Sequence, residues 1–185
     1  MMQDELIIPT NAGSRICLWR PEPDTFHIED IAAGVARKFR WSGQSDLTVA
    51  EHSVSVSKRL TGVEAQWGLM HDAAEAFLPD VPRPLKKRLL VRVPAGRHSF
   101  KLHTFDVLES RVLRAISIRF GLPWPIPPAV TKADDMEMAR EARDLFGAPD
   151  TDAYPEPLGV PIVLPLTAEE LFLRRFNELF REYVE

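Results

Sequence analysis

From Ile28 onward this chain of 185 residues is cut into amphipathic segments by start and stop signals that favour helices over any other element. A first short helix is predicted from Ile28 to Val35. Thr48-Val49-Ala50-Glu51 reads as a capping box, in which Thr48 accepts from the Glu51 amide and the Glu51 side chain reaches back, and it opens a second helix that should close at Gly62. A third is expected from Glu64 to Leu78, stopped by Pro79, and a fourth behind Pro84 at a first-turn position. A fifth is placed from His98 to Phe120 and ended by Gly121, and a sixth from Val130 to Phe146, ended by Gly147. A last helix is capped at Thr167, with Leu171, Phe172, Phe176, Leu179 and Phe180 on its apolar side. Ahead of all these, two short apolar stretches flank Asn11-Ala12-Gly13-Ser14, a turn composition that suggests a small hairpin. The expected fold is therefore all-α, a helical bundle with a small N-terminal hairpin. With no repeat, low-complexity tract or long linker, it is read as a single domain over 1–185.

Several function classes fall away on composition. With 45% hydrophobic and 27% charged residues the chain can bury a sizeable core, so disorder is excluded as its main description. The longest uncharged runs, Phe120 to Thr131 and Pro157 to Ala168, are 12 residues each and broken by prolines, too short to span a bilayer. The acidic N-terminus lacks the basic region of a signal peptide, and one cysteine, Cys17, allows no internal disulfide. The expected compartment is the cytoplasm. A net charge of -4 argues against a binder of long nucleic acid, since counterion release rewards clustered cations. Yet between Val81 and Phe105 there is no acid, while Arg83, Lys86, Lys87, Arg88, Arg92, Arg97 and Lys101 all fall there. That stretch is either a solvated basic helix face or an attractor for a small polyanion.

Three of the predicted helices carry ionisable residues where core residues belong. On the second, His52 falls within the stripe of Val49, Ser53, Val56 and Leu60. On the third, Trp67, His71, Glu75 and Leu78 share one face, with Asp72 about 100° round from His71. On the sixth, Val130, Asp134, Met138 and Leu145 line one stripe with Glu141 among them, so Asp134 rather than Asp135 is the inward carboxylate. Charges are rarely buried unpaired. A core receiving His52, His71, Asp72 and Asp134 needs either a purely ionic network or a divalent metal to neutralise them. Two imidazoles and two carboxylates suit a first-row transition ion such as Mn, Fe, Co, Ni or Zn ahead of Mg, with positions left open for water and substrate.

The segments Ala50-Glu51-His52-Ser53, His71-Asp72-Ala73-Ala74-Glu75 and Lys132-Ala133-Asp134 resemble the H…HD…D signature of the HD-domain phosphohydrolases. Within that superfamily the chain is most similar to the small 5'-deoxynucleotidases and their bacterial and phage relatives. The likeness rests on Asp80-Val81-Pro82-Arg83-Pro84-Leu85-Lys86, which follows Glu75 as their DxPxPxK stretch follows HDxxE. It spans Ile28 to Phe146. The resemblance implies His52, His71, Asp72 and Asp134 as metal ligands, Glu75 and Asp80 as the groups that handle protons and position water, and Arg40-Trp41 as a nucleotide contact. His27, His98 and His103 match no motif position and are read as structural or surface residues.

The resemblance also implies the reaction, metal-dependent hydrolysis of a nucleotide phosphoester, with Arg40, Arg83, Lys86 and Lys132 as the nearby cations for phosphate. The expected substrate is a deoxynucleoside 5'-monophosphate, split into nucleoside and phosphate. A rival is a dNTP triphosphohydrolase, including a dATP-selective one, that releases triphosphate. From another class comes a nucleotide-sensing HD module without turnover. The partner is a small nucleotide in each case, with no long nucleic acid and no membrane, and a homodimer is left open.

Overall fold

A computed structural model describes residues 6–96, 99–147 and 168–181. Helix α1 (Ile28–Ala36) follows the N-terminal hairpin of β1 (Ile7–Pro9) and β2 (Arg15–Cys17), which pair antiparallel with Ile8 opposite Ile16. The hairpin is tied to α1 by the Asp30 carboxylate, which accepts from the Ala12 amide at 3.0 Å. Helix α2 (Val49–Lys58) opens with the capping box as read: Thr48 Oγ1 accepts from the Glu51 amide at 3.2 Å, and the Thr48 amide donates to Glu51 Oε2 at 2.9 Å. It closes four residues before Gly62, which instead begins α3 (Gly62–Met70) at φ +55°.

The third helix is not continuous to Leu78. It ends at Met70, Asp72 takes φ −101° and ψ 13°, and a separate 3-10 turn runs over Ala73–Ala76. After α4 (Arg83–Lys86), with Pro84 in its first turn, come β3 (Leu90–Gly96) and β4 (Ser99–Thr104), then α5 (Phe105–Arg119), α6 (Pro128–Phe146) and α7 (Ala168–Leu179). Gly147 ends α6 in the left-handed region at φ +61°, where a residue without Cβ is favoured. The Thr167 cap predicted for the last helix lies outside the described residues, as does His98.

The all-α expectation is overturned by β3 and β4. Two antiparallel two-stranded sheets stand beside the helices, so the fold is mixed α/β and a helical bundle describes only part of it. β3 and β4, the latter lying where the fifth helix was expected to begin, pair antiparallel because their residues alternate with period two. Val91 and Val93 turn inward, while Leu90 and Arg92 face out. A register shift between Pro94 and Gly96 absorbs the proline near the turn. Helix α5 therefore starts at Phe105, seven residues later than expected.

A core from Ile16 to Phe180 joins the hairpin, α1, α2, α3, α5, α6 and α7, with Phe26, Ile31, Trp67, Met70, Ile116 and Phe172 buried in it. No helix among the described residues is long and apolar enough to cross a membrane. Two glycines set the spacing that brings polar groups together. A Cβ on Gly68 would stand 2.9 Å from the Ser57 Cα, so α3 lies directly on α2. A Cβ on Gly34 would meet the Ala76 Cβ at 2.6 Å, so α1 lies equally close to the 3-10 turn.

Candidate functional site

Close packing of α2 on α3 brings the His52 and His71 rings to 5.3 Å between centroids. His52 comes from the middle of α2 and is fully buried; His71 caps α3 and is 8% exposed. The helix break at Asp72 then returns the next carboxylate to the same point, where a continuing helix would have carried it about 100° away. Helix α6 adds Asp134 from the opposite side. Nε2 of His52 lies 3.1 Å from Asp134 Oδ1 and 3.8 Å from Asp72 Oδ2; Nε2 of His71 lies 3.3 Å from Asp72 Oδ2 and 3.8 Å from Asp134 Oδ1.

The tautomers follow from the partners on the far side of each ring. His52 Nδ1 lies 2.6 Å from Glu141 Oε1, and His71 Nδ1 lies 2.8 Å from the Gly68 carbonyl. Both partners can only accept, so both Nδ1 atoms carry the proton and, in the neutral rings, both Nε2 atoms present lone pairs. Those Nε2 atoms are buried and make no hydrogen bond. Lone pairs facing carboxylate oxygens repel unless a proton or a cation lies between them. Donors bound at about 2.0–2.2 Å to one ion stand about 3–3.5 Å apart when adjacent, close to the spacings here. The His52, His71 and Asp134 donors fall within 4.8 Å of one another and could hold a metal ion, with Asp72 at their edge. The donor set therefore fits a metal.

Electrostatics follow the same convergence. Burial works against a charged His71 ring, yet Asp72 and Asp134 outweigh it and raise its pKa well above the ordinary value. Burial would raise both carboxylates, but His71 and His52 hold Asp72 and Asp134 well below the usual range. Glu75 behaves oppositely: burial and then the Asp72 charge push it up to about 8. Its Oε1 is 3.3 Å from Lys86 Nζ, which also donates to Glu109 Oε1 at 2.7 Å, while its buried Oε2 is without a partner.

The remaining predicted residues surround one cleft of about 340 Å³, lined by Arg40, Trp41, Asp72, Glu75, Asp80, Arg83, Lys86 and Asp134. His52 and His71 lie behind its two aspartates. Not every cation is available for phosphate. Arg83 donates to Asp134 Oδ2 at 2.7 Å and to Asp135 Oδ1 at 2.6 Å, and Lys86 is held between two glutamates. Lys132 is exposed on α6. Of the unassigned histidines, His27 Nε2 contacts Ser14 Oγ at 3.2 Å and His103 packs on Trp19 at 4.5 Å between centroids, both in structural roles.

Sequence reasoning left three residues without a role. Lys38 donates to the Glu75 carbonyl and, at 2.5 Å, to the Leu78 carbonyl, tying down the segment that carries Glu75. Glu109 holds Lys86. Glu141, fully buried, takes Arg40 Nε at 2.9 Å and Trp41 Nε1 at 3.1 Å besides His52. Its place in the Asp134 stripe, a charge at a core position one heptad on, was the signal for it. Trp41 and Ser42 adopt φ +58° and +55°, left-handed conformations that cost about 1–3 kcal/mol each and are retained where surrounding contacts over-determine them.

No family model matches the chain. The uncharacterized protein YfdR of Escherichia coli (strain K12) is 31% identical to it over 182 residues, covering 93% of this chain and 94% of that protein. An uncharacterized protein of Rhodobacter capsulatus is 32% identical over 157 residues, covering 77% and 74%. The chain belongs to the family of YfdR.

Proposed function

We propose that this chain is an HD-type, metal-dependent phosphohydrolase that cleaves a deoxynucleoside 5'-monophosphate into nucleoside and phosphate. The observation that carries the reading is the pair of unpartnered, buried Nε2 atoms converging with Asp72 and Asp134 at the floor of a cation-rimmed cleft. His52, His71, Asp72 and Asp134 would hold the ion, a transition metal by its imidazole share. Such an ion supplies Lewis-acid polarisation of a phosphoryl oxygen and an acidified water.

The chain's own groups account for the rest. Hydrolysis joins a water oxygen to phosphorus and breaks the P–O5' bond, with one water proton removed and one proton delivered to the leaving oxygen. Burial pushes the Glu75 carboxyl up to about 8, which suits proton delivery to that oxygen. Asp80, on the loop after the 3-10 turn, lines the same cleft, where it would orient the attacking water and take its proton. Arg40, held through Nε by Glu141, turns Nη1 to within 3.6 Å of Asp72, where its guanidinium would meet a phosphate beside the ligands.

The acid-free stretch lends little weight to a longer phosphate chain, because among the described residues Arg83 and Lys86 alone of its cations line the cleft and both are engaged by carboxylates. A screen of nucleoside mono-, di- and triphosphates with Mn, Co, Mg and Zn tests the proposal. Orthophosphate and nucleoside from a deoxynucleoside monophosphate are the expected products. Tripolyphosphate from a dNTP would replace it with the triphosphohydrolase reading, and nucleotide binding without turnover with the sensing one.

A further inference from the structure

Glu141 joins two parts of the site, the ligand cluster and the cleft wall, that otherwise meet at the 3.6 Å contact of Arg40 with Asp72. Its Oε1 faces the proposed ligand His52 at 2.6 Å; its Oε2 faces Arg40 Nε at 2.9 Å and Trp41 Nε1 at 3.1 Å on the cleft wall. The carboxylate is fully buried, so these three donors are what offsets its desolvation. Trp41, Ser42 and Gly43 follow one another at φ +58°, +55° and +76°, a left-handed run that is costly for the two non-glycine residues. Trp41 is held in it by the bond to Glu141 and by edge-on packing against Phe146 at 5.4 Å.

We propose that Glu141 is a positioning residue that couples the metal centre to the nucleotide-facing loop, so that loading the metal stiffens Trp41 and disturbing Trp41 weakens the metal. This rests on the reading of His52, His71, Asp72 and Asp134 as a metal site. The physical route is short. One oxygen fixes the His52 tautomer with Nε2 turned to the ligand cluster; the other fixes the loop. A carboxylate is a single rigid plane, so rotation that relaxes one set of bonds strains the other. Linkage makes the effect reciprocal.

The test uses the full chain and Zn(II) or Mn(II) alone as the probe. Metal affinity is measured by calorimetry, and the accessibility of Trp41 by acrylamide quenching, with Trp41→Phe subtracted to isolate its emission. In the wild type, metal should protect Trp41 from quencher. Glu141→Gln keeps the shape but not the charge. It should bind metal about 10- to 100-fold more weakly, the usual consequence of altering a ligand's hydrogen-bond partner, and at saturating metal Trp41 should stay unprotected. Trp41→Phe touches no proposed ligand and serves if Glu141→Gln fails to fold. It removes one donor to Oε2 and should weaken metal binding about 5-fold. Wild-type affinity in both variants, or equal protection of Trp41 in the wild type and Glu141→Gln, overturns the coupling alone. A wild-type chain that binds no divalent ion overturns the metal reading, and the coupling with it.

Discussion

Helix α6 buries two clusters of charge one turn apart, and they are built on different principles. On one side Glu137, 2% exposed, accepts from Arg59 Nε at 2.8 Å and Arg140 Nε at 2.6 Å, while Arg140 Nη1 reaches Asp144 at 3.3 Å. Each of the carboxylate's two oxygens meets a cation, and the cluster closes on itself. On the other side Asp134 meets His52 and His71, whose Nε2 atoms are buried without a hydrogen bond. Buried charge is common to both, and the second aims its donors at one common point. An ionic network needs nothing further; converging imidazole and carboxylate donors could hold a metal ion.

The largest effect should come from breaking the open cluster. Asp72→Ala or His71→Ala is expected to abolish both metal retention and hydrolysis, because the ion loses a ligand and the remaining charges lose their compensation. Elemental analysis showing full metal occupancy in Asp72→Ala would remove the metal site from the account. Next comes the chemistry beside it. Glu75→Gln should keep its metal and lose about 10²- to 10⁴-fold in kcat, with substrate affinity nearly unchanged. If excess metal restores its turnover, Glu75 orients the ligands instead of moving protons.

The closed cluster should answer differently. Glu137→Gln leaves Arg59 and Arg140 facing a neutral partner and should cost up to about 3–5 kcal/mol of stability, read by urea denaturation, without changing metal affinity. Loss of metal before loss of fold would erase the contrast between the two clusters. The smallest effect is one of selectivity. Trp41→Ala should shift the deoxyribonucleotide to ribonucleotide ratio of kcat/KM about 10-fold, the scale of one contact in a binding pocket. An unchanged ratio with a lowered melting temperature would make Trp41 a packing residue.

Much of the site was legible because its residues break a local pattern. His52 in an apolar stripe had to point inward, and it does; Asp134 was separable from Asp135 by register, and it makes the contacts to both histidines. Glu141 stood in that same stripe, but its partners lie 89, 100 and 101 residues away, beyond any periodicity. The start of the fifth helix was placed too early because start and stop signals were followed there, when Val91 and Val93 already marked the alternation of a strand. The 3-10 turn at Ala73–Ala76 was hidden by a run of good helix formers, Ala73-Ala74-Glu75-Ala76, that propensity alone would keep helical.

What the sequence determined by itself was therefore local: the capping box of α2, the left-handed end of α6 at Gly147, the turn of the first hairpin, and which face of each helix holds its ionisable residues. These depend on hydrogen bonds and sterics within a few residues. Tertiary structure decided where those faces meet. It closed α2 on α3 at Gly68, ended α3 at Met70 so that the consecutive side chains of His71 and Asp72 reach one point, and set Glu141 between His52 and Trp41. Such contacts are chosen by packing between distant segments, where the energy of a whole core outweighs the preference of any single turn.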